Sequence, residues 1–379
     1  MSETILSNAR LVLPDEVVTG TLVIRHGQIA EIDTGGTRLG EDLEGDFLIP
    51  GIIELHTDHF ENHYRPRPGV TWNAIAALQS HDAQVAGAGI TTVFDAIRIG
   101  SDPEVGDITE DVSLMVEAVA TAQAENRLRA EHRIHLRCEL PTPDAAQHFE
   151  AHAAHPLVGL ASLMDHTPGA RQYATLDHYV AYYQKKLRLS DDEMAAFIQD
   201  RKADADRWSA KSKRDILALG QTLGLAFASH DDATPAHVAE AIADGVVLAE
   251  FPTTLEAARA ARQAGMAVLM GAPNLVRGKS HNGNVSALDL ARAGTLDVLS
   301  SDYVPFSLIQ AAFLLPELHG ATSLPRAIRM VTRRSAEAVG LTDRGALAPG
   351  LRADLVRVWR PPHGVPVVRS VWRDGQRVS

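Results

Sequence analysis

FLIPGIIELHTDHFENH, residues 47–63, starts as a strand fit for a buried core and stops in a cluster of metal-grade side chains. The apolar run from Phe47 to Ile49 turns at Pro50-Gly51, resumes through Ile52, Ile53 and Leu55, and meets His56, Asp58, His59, Glu61 and His63. Residues two apart on a strand face the same side, so His56 and Asp58 share a face and Thr57 points away. Two ligands so placed can hold one ion. A lone His-x-Asp pair is a weak signal, because polar residues often cap strands, and what strengthens it is repetition farther along the chain.

The repetition is a rhythm of short apolar runs alternating with Ala-rich stretches of helical length. Eight runs stand out: 50–58, 89–96, 132–140, 157–166, 223–232, 246–251, 266–274 and 296–303. Strands separated by helices imply parallel pairing, and eight such units close an α/β fold of the (β/α)8 TIM-barrel type. Residues 49–344 are therefore expected to form the barrel, with its chemistry at the C-terminal strand ends. The termini read differently, as short strands with turns over 1–48 and 345–379, which together predict one small composite β-sandwich domain. A long, charged helical insertion at about 176–218 reads either as a solvated hairpin or as a lid over the barrel mouth.

Composition narrows the class. With 379 residues at 45% hydrophobic, the chain can bury a large core. A formal charge of −12 argues against a general polyanion-binding surface, so no nucleic acid is expected and phosphate recognition must be local. There is no charged-then-apolar leader and no run of bilayer length, which predicts a cytoplasmic protein without membrane contact. The single cysteine, Cys138, forms no internal disulfide and reads as a small buried apolar residue.

The strand ends then collect donors. Beside His56 and Asp58 stand Glu139 on the third run, His166 on the fourth, His230 followed by Asp231 and Asp232 on the fifth, and Asp302 on the eighth. The six ligands His56, Asp58, Glu139, His166, His230 and Asp302 suffice for two divalent ions, and mixed imidazole and carboxylate donors suit zinc or manganese. A carboxylate such as Glu139 can bridge the pair.

PGIIELHTD, ASHDD and LSSDY, a glutamate on a mid-barrel strand, and LAPGLRADLV leading into a terminal sheet resemble the amidohydrolase superfamily of metal-dependent barrel hydrolases. The longer stretches SHDAQVAGAGITTVFDA, AEHRIHLRCELP, SLMDHTPGARQ, ASHDDATPAHVAE and LMGAPNLVRG resemble the PhnM family of phosphonate utilisation, over nearly the whole chain. Its members are α-D-ribose 1-methylphosphonate 5-triphosphate diphosphatases of the carbon-phosphorus lyase pathway. The resemblance implies a small-molecule ribosyl triphosphate as substrate, other phosphonate-pathway enzymes as partners, and a homodimer. Most amidohydrolases carry His-x-His on the first strand, and Asp58 in its place adds negative charge and hardness. Many relatives bridge their ions with a carbamylated lysine; no lysine ends these strands, and Glu139 can bridge unmodified. Glu250 stands where relatives often carry a histidine, and reads as a ligand, an acid orienting His230, or a buried hydrogen-bonded acid.

A triphosphate needs cations and backbone donors. GAPNLVRGKSHNGNV, residues 271–285, offers Arg277, Lys279, Ser280 and His281 on a Gly-rich loop, HTPGARQ adds Arg171, and YRPRPG adds Arg65 and Arg67. The implied reaction has Asp302 as general base to an attacking water, or as a metal ligand only, with diphosphate expelled. Two other readings are a C–N amidohydrolase, such as a cyclic amidase or deaminase, and a non-catalytic interaction protein that has lost its ligands. The basic loop speaks against the first and the filled ligand positions against the second.

Overall fold

Pro50 and Gly51 form a corner at which the chain leaves one sheet and enters another. A Cβ on Gly51 would lie 2.2 Å from Thr91 Oγ1 and 2.8 Å from Asp354 Cβ, so only glycine passes this junction. The computed structural model describes residues 3–67, 69–101, 109–171, 176–280 and 284–379. Before the corner lie β1 (Glu3–Val12), β2 (Val17–Arg25), β3 (Gln28–Asp33), β4 (Glu41–Asp42) and β5 (Phe47–Pro50). After it come β6 (Ile52–Thr57), β7 (Ile90–Ile99), β8 (Glu131–Glu139), β9 (Val158–Met164), β10 (Ala226–His230), β11 (Leu248–Glu250), β12 (Ala267–Gly271) and β13 (Val298–Ser300). The chain ends in β14 (Leu355–Trp359), β15 (Val367–Arg373) and β16 (Gln376–Arg377).

Strands β6 to β13 pair in chain order, each parallel to the next, as the eight apolar runs predict. The ring closes where β13 meets β6. The Asp302 amide donates to the His56 carbonyl at 3.2 Å, and Thr57 bridges Asp302. Buried Glu54 fastens this seam: its carboxylate accepts from the His56 amide and Ser300 hydroxyl, both at 2.7 Å, and from the Ser301 amide at 2.5 Å. Ile53, Leu55, Phe94, Leu160, Ala228, Leu248, Leu269 and Val298 fill the interior as a packed core, into which hydrogen-bonded polar groups such as Glu54 and His135 are also buried.

The N- and C-terminal strands join in one sheet in the order β16-β15-β14-β5-β1-β2-β3, with β4 also on β1. Its two ends approach each other, since the Ile29 amide donates to Leu351 O at 2.9 Å. Leu22, Ile29, Leu355 and Trp372 pack in a single core. The expected sandwich thus arises from one sheet folding over itself, with β5 ending at Pro50.

The insertion is a helical hairpin, Leu176–Leu187 and Asp191–Thr222. Ser190 and Glu193 form a capping box at the start of the second helix, which satisfies backbone donors that would otherwise be orphaned. Among the described residues no helix is long and apolar enough to cross a membrane.

Candidate active site

Each functional side chain is aimed by the end of a strand. His56 and Glu139 lie near or at the ends of β6 and β8, His230 and Glu250 end β10 and β11, and His166 and Asp302 follow β9 and β13. Asp231, Phe251 and Asp302 hold φ of 57°, 54° and 55°. Non-glycine residues rarely adopt this left-handed conformation, so these three strand ends carry local backbone strain.

His56, Asp58, His166, His230 and Asp302 line one cavity of about 420 Å³, together with Glu61, Arg98, Arg137 and Asp231. Beneath it, Glu250 is fully buried and accepts from Nδ1 of His56 at 2.7 Å and from Nδ1 of His230 at 2.8 Å. The Ser162 hydroxyl donates to the same carboxylate at 2.8 Å. Burial opposes the charge on Glu250, yet the imidazoles of His56 and His230 hold its carboxyl well below the usual range. Both rings are thereby locked with Nε2 as the lone-pair nitrogen. Glu250 accepts from both imidazoles, as an acid orienting them does, and the three side chains also lie close enough together to hold one ion, so the orienting and ligand roles both fit this geometry.

On the other side, His166 Nδ1 lies 2.6 Å from Glu139 Oε2, while the Arg98 guanidinium donates to the same oxygen at 3.1 Å. At that separation the imidazole and carboxylate share a proton, and both could instead turn onto one ion. Asp58 Oδ1 and Asp231 Oδ2 are buried without hydrogen-bond partners among the described residues. Asp231 Oδ2 sits 3.4 Å from His230 Nε2 and 3.8 Å from His166 Nε2. Burial, then the nearby Asp58 carboxylate, pushes the Asp302 carboxyl up to about 7. Two orphaned carboxylate oxygens, two oriented imidazoles and a crowded Asp302 make a donor set short of positive charge. These residues, a mixture of nitrogen and oxygen donors, fit divalent ions.

The expected phosphate cradle is only partly on this wall. Arg277 and Ser280 line the cavity, with Arg277 ending a short helix, Ala272–Arg277, that Gly278 stops at φ 74°. Lys279 is exposed and off the wall, and His281 lies outside the described residues. Arg171 does not line the cavity either: its guanidinium bonds Asp232 and reaches the His230 carbonyl at 3.4 Å, so its charge is matched inside the rim. Arg65 pairs with Asp111, away from the mouth. The wall is completed by residues the motif search passed over: Tyr182, Tyr183 and Lys186 from the insertion, and Arg98 and Arg137 from β7 and β8. The strand alternation that places Glu139 inward also places Arg137 inward, so that signal was present in the sequence.

Residues 225–379 match the amidohydrolase family. Over 377 residues the chain is 48% identical to the α-D-ribose 1-methylphosphonate 5-triphosphate diphosphatase of Escherichia coli (strain K12), covering 99% of this chain and 100% of that protein. Among solved structures it resembles N-isopropylammelide isopropylaminohydrolase from Burkholderia multivorans ATCC 17616, with a TM-score of 0.64 and 18% identity over 100% of this chain and 98% of that one. An amidohydrolase from an environmental sample of Sargasso sea gives a TM-score of 0.66 at 16% identity, over 100% and 93% of the two chains. At such identities these structures bear on the fold alone.

Proposed function

This chain belongs to the α-D-ribose 1-methylphosphonate 5-triphosphate diphosphatase family of the amidohydrolase superfamily, and we propose on that premise that it hydrolyses this ribosyl triphosphate to the 5-phosphate and diphosphate. The observation that carries the reading is the meeting, in one cavity, of a carboxylate-rich donor cluster with the cationic side chains of Arg98, Arg137, Lys186 and Arg277. A polyphosphate needs both: cations for its own oxygens, and anionic donors for the ions that accompany it. A neutral cyclic amide or a base has no use for four cations at the mouth.

His56, Asp58, Glu139, His166, His230 and Asp302 are the proposed holders of two divalent ions, zinc or manganese, with Asp231 close enough to join them. When bound, such ions supply the charge that makes a water nucleophilic at neutral pH and that neutralises phosphoryl oxygens. Asp302, on the cavity wall, is placed to accept the proton as the water oxygen bonds to phosphorus. The anhydride bond between the first and second phosphates breaks, and diphosphate leaves with the electron pair. Glu250 keeps His56 and His230 in register throughout, while Arg277 and Ser280 face the substrate's outer phosphates. The methylphosphonate at C1 takes no part. The same reading places the protein in the cytoplasm as a homodimer, with other enzymes of phosphonate use supplying its substrate and consuming its product.

Phosphorus NMR on the metal-loaded protein with the ribosyl triphosphate should show diphosphate and 5-phosphate appearing in equal amounts. Ammonia release from amines or cyclic amides, with the triphosphate left intact, would assign the chain to C–N chemistry instead.

A further inference from the structure

We infer that Arg137 is a dedicated oxyanion receptor of the cavity, holding a phosphate oxygen of the substrate directly. The inference deepens the proposed phosphohydrolase reading and rests on it for the identity of the anion.

Arg137 lies on β8 two residues before Glu139, on the strand face that looks into the barrel, and its side chain is only 15% exposed. In the register of β7 and β8 it stands directly opposite Arg98. Like charges placed opposite each other on neighbouring strands destabilise a sheet, so the pair calls for compensation. Arg98 has it, through Glu139 at 3.1 Å. Arg137 does not have it in the same measure. The Nε of each arginine is buried with no hydrogen-bond partner among the described residues, but the carboxylate paired with Arg137, that of Asp58, is 3.8 Å away, beyond hydrogen-bond reach.

A guanidinium offers five donors in a planar fork, and leaving a buried one unmatched is costly. Ion binding makes the mismatch worse. Asp58 is a proposed ligand, and once its charge is directed to a divalent ion, Arg137 faces that cation as well. An anion entering from the cavity would meet the unmatched Nε and the charge of the ions together. A doubly charged phosphate group fits this demand, and its tetrahedral oxygens match the fork bidentately. A neutral substrate does not.

The test uses metal-loaded protein with inorganic phosphate as probe, followed by calorimetry, beside steady-state kinetics on the ribosyl triphosphate. Arg137→Gln should weaken phosphate binding about 10- to 100-fold, the range of a charge-assisted hydrogen bond, and lower kcat/KM by at least as much. Metal content should stay at the parent level. Arg137→Lys should recover part of the binding, since it restores charge without the fork. If either variant folds poorly, the other still reports, because thermal unfolding and metal content are measured on both. Phosphate affinity equal to the parent in a folded Arg137→Gln protein would overturn the inference and leave Arg137 as a counter-ion of Asp58. A parent protein that binds phosphate through Arg137 but never releases diphosphate would instead refute the proposed reaction while the receptor stands.

Discussion

Glu250 touches neither solvent nor the cavity, yet the two imidazoles most firmly set in the site both turn on it. As an orienting acid it acts through Nδ1 of each ring, and so governs ligand direction rather than ligand number. Glu250→Gln keeps the shape and removes one acceptor, placing an amide NH₂ against an imidazole N–H. The expected outcome is a loss of metal affinity of roughly 10- to 100-fold, with a destabilisation of about 1 to 3 kcal/mol from the mismatched buried donor. Metal content after dialysis against graded chelator, read beside thermal unfolding, checks this. Parental retention of metal would reduce Glu250 to packing. In LAEFPTT the residue was legible as a buried acid at a strand end, but its partners come from β6 and β10, and no local pattern names them.

At the scale of the element, the insertion is distinctive. The helix Asp191–Thr222 has 32 residues and so spans about 48 Å, longer than a barrel helix requires. Its C-terminal part does ordinary barrel work: Gly220 lies against Phe227, where a Cβ would fall 2.3 Å from the ring. The N-terminal part packs with the preceding helix around Tyr179, Tyr183 and Met194, and thereby holds Tyr182 and Lys186 at the mouth. That placement is what the lid reading of the insertion requires and the solvated-hairpin reading does not. Tyr182 is 44% exposed, so replacing Tyr182 and Lys186 together by alanine should alter stability by no more than about 0.5 kcal/mol. The double variant should nevertheless lose on the order of tenfold in kcat/KM for the triphosphate, mainly through KM. Unchanged kinetics would return the hairpin to solvent.

Over the whole molecule, the terminal sheet and the barrel are tied through Glu131 at the start of β8. Its carboxylate accepts from Arg344 at 2.6 Å and from Arg352, and both arginines also reach Thr92 of β7, at 2.9 and 3.4 Å. Burial works against the charge on Glu131, but Arg352 and Arg344 hold its carboxyl down to about 2. A carboxyl depressed in the folded state stabilises above its unfolded value near 4.5, and that stabilisation is lost as pH falls through about 2. Glu131→Gln should therefore cost on the order of 2 to 3 kcal/mol at pH 7, with the gap from the parent narrowing steadily below pH 4.5. Denaturant unfolding of parent and variant at pH 7, 5 and 3 measures it. A gap that is the same at all three values would show that the charge of Glu131 is not what joins the two sheets.

The chain by itself determined its architecture and its donor types. Apolar runs of strand length, separated by helical stretches and ending in histidine or acid, leave the eightfold barrel as the arrangement that buries every run and exposes every polar end on one rim. His56 and Asp58 were proposed from strand periodicity, and Glu139, His166, His230 and Asp302 from their places at strand ends, because that information is local. Which cations reach the cavity was decided only in three dimensions. Arg171 and Arg277 look equivalent in sequence, yet Arg171 folds onto Asp232, 61 residues away, whereas Arg277 ends a helix at the cavity wall. A charge is available or neutralised according to what the fold brings within a few ångströms of it, and strand alternation says which way a side chain points but not which opposite charge will be waiting there.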